Sequence, residues 1–467
     1  MSELRDQRVT VMGLGILGGG VGVAQYLARH GARVTVTDMR DADALQESLR
    51  QLADYDVTYH LGAHDLADFT AERADVVVRN PGVRHDSPYL EAARADGVRV
   101  EMEMTLFFRQ CAAPILGVTG TKGKTSVSTL CGAILKVWKP ETLLAGNMGI
   151  SALAQVDDLA ATTPVVIELS SFQLEAMDEN RIAPHVAVIT NISEDHLDRY
   201  ASYEEYVQTK LSIARHLAAD DVLVYNADDA DTRRAIDVTT ARTLPFGLVD
   251  EGADGAWLSG DQLLLRVDGI EHRWPRPTQL ALSGDHGVRN ALAAVAATFA
   301  YGAPVEAIAE GLATFAGVPH RLEEVATIDG VLYVNDTSAT APAATIAALD
   351  VLVPRATRLH LIAGGSEKFA DLEALGTAIA TSGAHVVLLD GSATPALQRF
   401  IAAAGGAFEG PFTSMQAAVH AAAGGASPGD IVALSPGCAS FGMFRNEFDR
   451  GQQFIDAVRA LTTSAPA

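Results

Sequence analysis

Seven residues, Gly120-Thr121-Lys122-Gly123-Lys124-Thr125-Ser126, follow the apolar run Ile115–Val118 and open a helical stretch reaching about Val137. Strand, glycine-rich turn, lysine and hydroxyls in this order form a phosphate-binding loop, because the successive amides of such a turn point into one concavity that holds phosphate oxygens. The Lys124 ammonium is expected to reach the terminal phosphates and the Thr125 hydroxyl to ligate Mg²⁺. The usual glycine-x4-glycine-lysine spacing is not met: the residue five before Gly123 is Val118, and the first glycine is Gly120. The loop is a shorter Gly-Thr-x-Gly-Lys-Thr-Ser variant, and the bland alternative is a structural glycine turn without a ligand.

A strand–loop–helix of this kind belongs in a parallel sheet, and the rest of the chain has the matching rhythm. Arg8–Met12, Arg33–Thr37, Asp75–Val78 and Val98–Val100 read as strands, with a helical stretch at Val21–His30. Pro164–Leu169, His185–Thr190 and Val222–Asn226 continue the pattern, Gly255–Trp274 reads as a small β excursion, and Asn290–Ala300 as an alanine-rich helix. Val331–Asn335, Arg358–Ala363, Val386–Asp390 and Asp430–Leu434 are four further strands separated by helical stretches. The expected fold class is α/β in three domains, each a mainly parallel sheet with flanking helices: a Rossmann-like domain over 1–112, a phosphate-loop domain over 113–317 and a second Rossmann-like domain over 318–467. The 467 residues are too many for one core, and 48% apolar with 20% charged residues describes a globular chain.

Charge narrows the ligands. The net charge of −23 argues against broad nucleic-acid binding, so anionic substrates must be held by local devices such as loop amides, helix N-termini, metal ions and a few placed cations. Cys111, Cys131 and Cys438 are widely spaced and outline neither a disulfide framework nor a zinc site, which suits a reducing cytoplasm. The charged N-terminus is not a signal peptide, and no apolar run is long enough to predict a membrane span.

Further clusters follow the predicted strands. Gly13-Leu14-Gly15-Ile16-Leu17-Gly18, with Asp38 closing the next strand, matches a dinucleotide-type fingerprint, though a glycine-rich turn without ligand gives the same letters. Glu168, in Glu168-Leu169-Ser170-Ser171-Phe172-Gln173-Leu174-Glu175, ends a buried strand, where a carboxylate suits Mg²⁺ or caps a helix. His196 lies in the polar run Thr190–Tyr200 as a metal ligand or a hydrogen-bonded structural histidine. Arg321, in His320-Arg321-Leu322-Glu323, can reach a phosphate or form an inter-domain ion pair. Asn335–Thr340 and Ser435–Phe441 follow strands of the third domain and face one cleft, or act merely as helix caps. Residue by residue, this supports a nucleotide-hydrolysing enzyme with a second nucleotide-type site and leaves the reaction class open.

Taken in order, Gly120–Ser126, Gly146-Asn147-Met148-Gly149, Glu168–Glu175, Asn191–Tyr200, Pro319–Glu323, Asn335–Thr340 and Ser435–Phe441 resemble the Mur ligase family of bacterial cell-wall synthesis nearly end to end. The resemblance implies ATP-dependent addition of glutamate, D-glutamate first, to UDP-N-acetylmuramoyl-L-alanine through an acyl phosphate, in peptidoglycan precursor synthesis. It implies that Gly13, Gly15, Gly18, Asp38, Asn80 and Gly82 hold the UDP-sugar. Gly120, Thr121, Lys122, Gly123, Lys124, Thr125 and Ser126, with Asn147, Asn290, Arg321 and Asp336, would bind ATP. Two Mg²⁺ sites are implied, one on Thr125 and Glu168 and one on His196, with Lys210 carbamylated into an anionic metal-site ligand. Thr340, Lys368 and Ser440 would hold glutamate, and a cytoplasmic monomer is expected. There are departures. The usual His-Asn pair reads His286-Gly287, Asp-Ser-Lys-Ala-Thr-Asn reads Asp336-Thr337-Ser338-Ala339-Thr340-Ala341, and Glu447 stands where the family commonly has an aromatic residue. Alternatives are an L-glutamate ligase, a folylpolyglutamate-synthase-like enzyme, an NAD(P)-dependent dehydrogenase built on Gly13–Gly18, and a non-catalytic nucleotide sensor.

Overall fold

Five short strands near the N-terminus are parallel: β1 (Arg8–Met12), β2 (Arg33–Asp38), β3 (Val57–Leu61), β4 (Val76–Arg79) and β5 (Arg99–Glu101). Their order is β3-β2-β1-β4-β5, so the chain reverses direction across the sheet between β1 and β4, the place where such sheets bind ligands. Gly13 follows β1 and Asn80 follows β4, so both loops open at that switch point. The computed structural model describes residues 4–14, 19–147, 151–196, 199–278, 282–367 and 371–463. Gly15, Gly18 and Lys368 lie outside them.

A second sheet has nine strands: β6 (Ile115–Thr119), β7 (Leu143–Gly146), β8 (Val165–Glu168), β9 (Val186–Ile189), β10 (Val222–Asn226), β11 (Arg242–Gly247), β12 (Gly255–Ser259), β13 (Gln262–Val267) and β14 (Ile270–Pro275). The order is β14-β13-β12-β11-β10-β9-β6-β8-β7, parallel except for the antiparallel β12-β13-β14 extension that forms the predicted β excursion. All residues of β6, β8 and β9 are buried, as expected of parallel strands covered on both faces. The register pairs Val118 with Glu168 and Thr119 with Ile189, so the loops after β6, β8 and β9 leave the sheet side by side. Both sheets belong to one unit, Met1–Arg276 with Val288–Thr314.

The other unit, Pro277–Gly287 with Phe315–Ala467, is built on six strands: β15 (Glu323–Ile328), β16 (Val331–Asn335), β17 (Leu359–Ala363), β18 (His385–Leu389), β19 (Glu409–Phe412) and β20 (Ile431–Leu434). Their order is β15-β16-β20-β17-β18-β19, with only β15 antiparallel to its neighbour. Alternate strand residues feed two cores: Leu361 and Leu388 pack with Leu349, Leu375 and Leu397 on one face, while Ile362 and Val387 pack with Val419, Phe454 and Val458 on the other.

At the amino ends of these strands a polar chain crosses the sheet. His360 Nε2 lies 3.1 Å from Asp430 Oδ2, His360 Nδ1 lies 3.0 Å from His385 Nδ1, and His385 Nε2 lies 2.9 Å from Glu409 Oε1. His360 is fully buried, whereas the Glu409 side chain is 55% exposed. Burial disfavours the charged His360 imidazole and lowers its pKa, against the opposing pull of Asp430. His360→Ala opens a cavity and removes one of Asp430's partners, leaving the Ser427 amide, so urea unfolding should show a loss of about 2–4 kcal/mol. Glu409→Gln, at the wet end of the same chain, should cost less than about 1 kcal/mol.

Candidate active site

The phosphate loop has its shape because two of its residues lack a Cβ. Gly120 has φ +144°, and a Cβ there would fall 2.0 Å from Thr190 Oγ1. Gly123, at φ +83°, caps the helix Lys124–Trp138, and its Cβ would meet Asn290 Oδ1 at 2.7 Å. The end of β9 closes on the space this leaves. Thr190 Oγ1 donates to Lys122 O at 2.6 Å, Asn191 Nδ2 donates to the same carbonyl at 2.8 Å, and Asn191 Oδ1 accepts Lys122 N–H at 2.9 Å. Thr121 N–H donates to Asn191 O at 2.8 Å, and the Thr121 hydroxyl accepts Ser193 N–H at 3.0 Å. Lys124 Nζ folds back over the loop and donates to Gly120 O and Thr121 O, both at 3.0 Å. Thr125 and Ser126, half-buried, stand on the first turn of the helix, whose N-terminus favours anions.

Beside the loop lie two buried ionisable side chains, Glu168 and Lys210. Glu168 is 2% exposed; Oε1 accepts Asn147 Nδ2 at 3.0 Å, and Oε2 is buried with no hydrogen-bond partner among the described residues. A buried carboxylate oxygen without a donor fits a cation ligand. Lys210, on the helix Tyr203–Arg215, is 1% exposed and donates to Thr119 Oγ1 at 3.2 Å. Burial drives its pKa well below the ordinary lysine value, and the Lys124 charge pushes the same way, while Asp195 and Glu168 oppose. His196 has φ +53° and a half-exposed ring, 5.2 Å from the Phe172 ring and 6.4 Å from that of Tyr206 between centroids. Tyr206 joins these parts: its hydroxyl is 3.1 Å from Thr121 Oγ1, and Lys210 Nζ lies 5.4 Å from its ring centroid. Sequence reading passed over Tyr206, although it sits one helical turn before Lys210 on the same face. Among the described residues no three His, Cys, Asp or Glu side chains converge on one point.

In the first sheet, Gly13 N–H donates to Thr37 O at 2.8 Å, and Asp38 is nearly buried. Burial pushes the Asp38 carboxyl up, but hydrogen bonds from the Arg40 side chain and from the Arg40 and Leu14 amides outweigh it and hold the pKa below the usual value. Asn80 Oδ1 accepts Gly82 N–H at 3.1 Å and tightens that turn.

The second unit gathers Asp336, Thr340 and Ser440 on neighbouring loops. Gly437 N–H donates to Ala339 O at 2.9 Å, and Ser366 exchanges backbone bonds with Ala439 at 2.9 and 3.0 Å. Asp336 accepts Ser435 Oγ–H at 2.7 Å and Leu322 N–H at 3.2 Å; Arg321 itself is exposed. Burial raises the Asp336 pKa to about 6 despite these bonds. Ser440 is buried and Thr340 half-buried. Beneath them lies Arg450, fully buried, donating to Thr337 Oγ1 at 3.0 Å, Thr337 O at 2.9 Å and Cys438 O at 3.1 Å. Burial lowers its pKa to about 10, so it remains a cation. Two of the departures have local causes. A Cβ at Gly287 would lie 2.3 Å from the Leu282 carbonyl carbon, and the Ser338 hydroxyl is occupied with His320 O at 2.6 Å. Phe448, next to Glu447, meets the His320 ring edge-on at 5.7 Å.

A braced phosphate loop, an unsatisfied buried carboxylate and a buried amine are the equipment of an enzyme that works on a nucleoside triphosphate. Residues 7–101 match the Mur ligase MurD-like N-terminal domain, residues 118–298 the Mur ligase middle domain, and residues 320–438 the Mur ligase glutamate ligase domain. The chain is 46% identical to the UDP-N-acetylmuramoylalanine–D-glutamate ligase of Roseiflexus sp. (strain RS-1), covering 98% of this chain and all of the relative. It is 38% identical to the ligase of the same name from Geobacter metallireducens, with 99% of each covered. Among solved structures it resembles UDP-N-acetylmuramate-alanine ligase MurC from Thermotoga maritima, with TM-score 0.57 at 20% identity over 97% of this chain and all of that one. It also resembles MurF from Acinetobacter baumannii, with TM-score 0.59 at 19% identity over 86% and 93%. This chain belongs to the Mur ligase family.

The buried Asp336 carries a signed pH effect. Its folded pKa of about 6 lies above the unfolded value, so it favours the fold when protonated and disfavours it as pH rises through 6. Asp336→Asn should therefore be no more stable than wild type near pH 4, and more stable by up to about 3 kcal/mol near pH 8 in urea unfolding.

Proposed function

We propose that this chain joins D-glutamate to UDP-N-acetylmuramoyl-L-alanine at the expense of ATP, in peptidoglycan precursor synthesis. The observation that carries the reading is the end-to-end relationship to ligases named for that reaction, at 46% identity with complete coverage of the relative. The geometry supports the chemistry. Lys124, Glu168 and Lys210 belong to elements leaving one sheet edge together, next to a loop shaped for phosphate.

In this reading the amides of Gly120–Ser126 and the Lys124 ammonium bind the β- and γ-phosphates, and Asn147, Asn290, Arg321 and Asp336 position the rest of ATP. Glu168, Thr125, His196 and a carbamylated Lys210 would hold two Mg²⁺ ions, which offset the repulsion between triphosphate and carboxylate. The lysine can be modified because burial lowers its pKa and so favours the neutral amine: its nitrogen bonds the carbon of CO₂ and loses a proton, leaving an anionic carbamate. Gly13, Gly15, Gly18, Asp38, Asn80 and Gly82 would hold the UDP-sugar, and Thr340, Lys368 and Ser440 the glutamate. The substrate carboxylate attacks the γ-phosphorus, giving an acyl phosphate and ADP. The glutamate amine then attacks the acyl carbon, and the tetrahedral intermediate collapses to the amide and phosphate. Both steps rest on positioning and preorganised charge. The proposed division is 1–112 for UDP-sugar binding, 113–317 for ATP binding and 318–467 for glutamate binding. Among the described residues no helix is long and apolar enough to cross a membrane. The proposed setting is a cytoplasmic monomer.

The test is product formation from ATP, Mg²⁺, UDP-N-acetylmuramoyl-L-alanine and either enantiomer of glutamate, followed by phosphate release and mass. D-glutamate should be incorporated; product with L-glutamate alone would correct the stereochemistry, and none with either would defeat the reading. Lys124→Ala should lower turnover on the order of 10²–10⁴-fold. Lys210→Ala should be inactive and recover partly with millimolar formate or acetate, whereas no response to these anions would count against the carbamate and leave the ligase reading standing.

A further inference from the structure

The turn after β4 has its carbonyls unusually well held, and by a residue from the middle sheet's segment. Arg199 Nη2 donates to Pro81 O at 3.2 Å and to Val83 O at 3.0 Å, and Nη1 donates to Gly82 O at 3.3 Å. Three successive carbonyls thus converge on one guanidinium, and Arg79 Nη1 adds a bond to Val83 O at 2.8 Å. Inside the turn, Gly82 N–H goes to Asn80 Oδ1 and Val83 N–H to Asn80 O. The backbone of 80–83 therefore has little freedom while Arg199 is in place.

The same guanidinium lies 4.1 Å above the Phe172 ring, and that ring is 5.2 Å from the His196 imidazole. His196 is three residues before Arg199 in the chain, and Phe172 begins the helix that follows Glu168. One aromatic side chain thus carries both a histidine proposed for the metal and the arginine that grips the proposed sugar-nucleotide turn. Moving Arg199 moves the support of both.

A plain packing role is the alternative, and other residues fill it. The first sheet is tied to the helix Ser171–Glu179 by Arg94 to Glu179 at 2.6 and 2.9 Å, by Arg79 to Glu175 at 2.9 Å, and by Arg109 to Asn180 at 2.9 Å. Arg199 makes no ion pair among the described residues, and its Nε is buried without a hydrogen-bond partner there. A buried donor left unsatisfied is unfavourable, so the side chain's pose is dictated by its two terminal nitrogens and the turn they hold, rather than by its own burial.

We infer that Arg199 is a positioning residue for the ligase reaction: it fixes the Pro81–Val83 main chain relative to His196, so that the sugar-nucleotide's carboxylate is presented to the triphosphate at reacting distance. This rests on the ligase reading above. Displacements near 1 Å are enough to cost about 10²-fold in such a step. Arg199→Ala should raise KM for UDP-N-acetylmuramoyl-L-alanine on the order of 10–100-fold, with KM for ATP held within about threefold. Arg199→Lys keeps the charge but cannot span three carbonyls, so it should recover only a part. Millimolar ethylguanidinium should restore the Ala variant and leave the wild type unchanged. Calorimetric titration with the sugar nucleotide gives a readout independent of turnover and should weaken in the same order, Ala more than Lys. If the wild type turns over and either the variants keep its KM for the sugar nucleotide or both substrates' KM values rise together, the inference is overturned alone. A wild type that neither binds the sugar nucleotide nor forms product sinks the ligase reading and this inference with it.

Discussion

The active edge of the middle sheet depends on one steric permission: the end of β9 can close against the phosphate loop only because Gly120 carries no side chain. With a Cβ 2.0 Å from Thr190 Oγ1, the hydroxyl could not reach Lys122 O, and the Asn191 bracket around Lys122 would open. The loop would then lose the rigidity that lets backbone amides act as a fixed anion receptor instead of relaxing at each encounter. The same contact fixes how Ser193 and the residues leading to His196 leave the strand. A protein with net charge −23 has little long-range attraction for a triphosphate, so this local preorganisation has to supply what the surface does not.

Charge inside the site follows from burial as much as from residue type. Two lysines, Lys124 and Lys210, stand beside one sheet edge, and both cannot be comfortable cations there. Lys124, partly exposed, spreads its charge over two loop carbonyls, whereas Lys210, sealed under Tyr206 and bonded to Thr119 Oγ1, is driven toward the neutral amine. In the proposed scheme Lys210 serves as a nucleophilic amine, which must be neutral, and Lys124 as a phosphate-binding ammonium, which must not be, and a difference in solvent access separates the two.

The central strands were legible in the sequence because they are buried on both faces and read as unbroken apolar runs; Val222–Asn226 and Val331–Asn335 fall where they were predicted. Several strands at sheet margins were not, although the marginal β5 was predicted as Val98–Val100. β3 is Val-Thr-Tyr-His-Leu with no buried residue, β15 is half polar, and β19 is Glu-Gly-Pro-Phe, all edge strands whose sequence answers to water on one side. β11 is internal but carries Pro245, which hides it from the same reading. In the candidate site the sequence could point only to residues inside a motif, and those acting through tertiary contacts were passed over: Tyr206 is an ordinary helical tyrosine until Thr121, His196 and Lys210 surround it. Gly287 stands where the family usually has asparagine, and the Leu282 backbone leaves no room for a side chain there.

Arg79 and Arg450 belong with that missed group, and comparing them shows why a buried guanidinium is hard to predict. Both are sealed from solvent, and burial lowers the pKa of each, yet only Arg79 has a carboxylate partner, Glu175. Arg450 is bonded by two carbonyls and a hydroxyl. An ammonium on a lysine stem offers a point charge and could not satisfy acceptors fanned around a plane, whereas the guanidinium's rigid fork reaches Thr337 and Cys438 at once. Those residues sit on the two loops that also bear Asp336, Thr340 and Ser440. The fork therefore sets the spacing of the loops from beneath, so the geometry of the loops proposed to bind a ligand is decided by a side chain outside the proposed set. Nothing in the local sequence around Arg450, on the last helix, carries that information, because the acceptors on Thr337 lie 113 residues upstream.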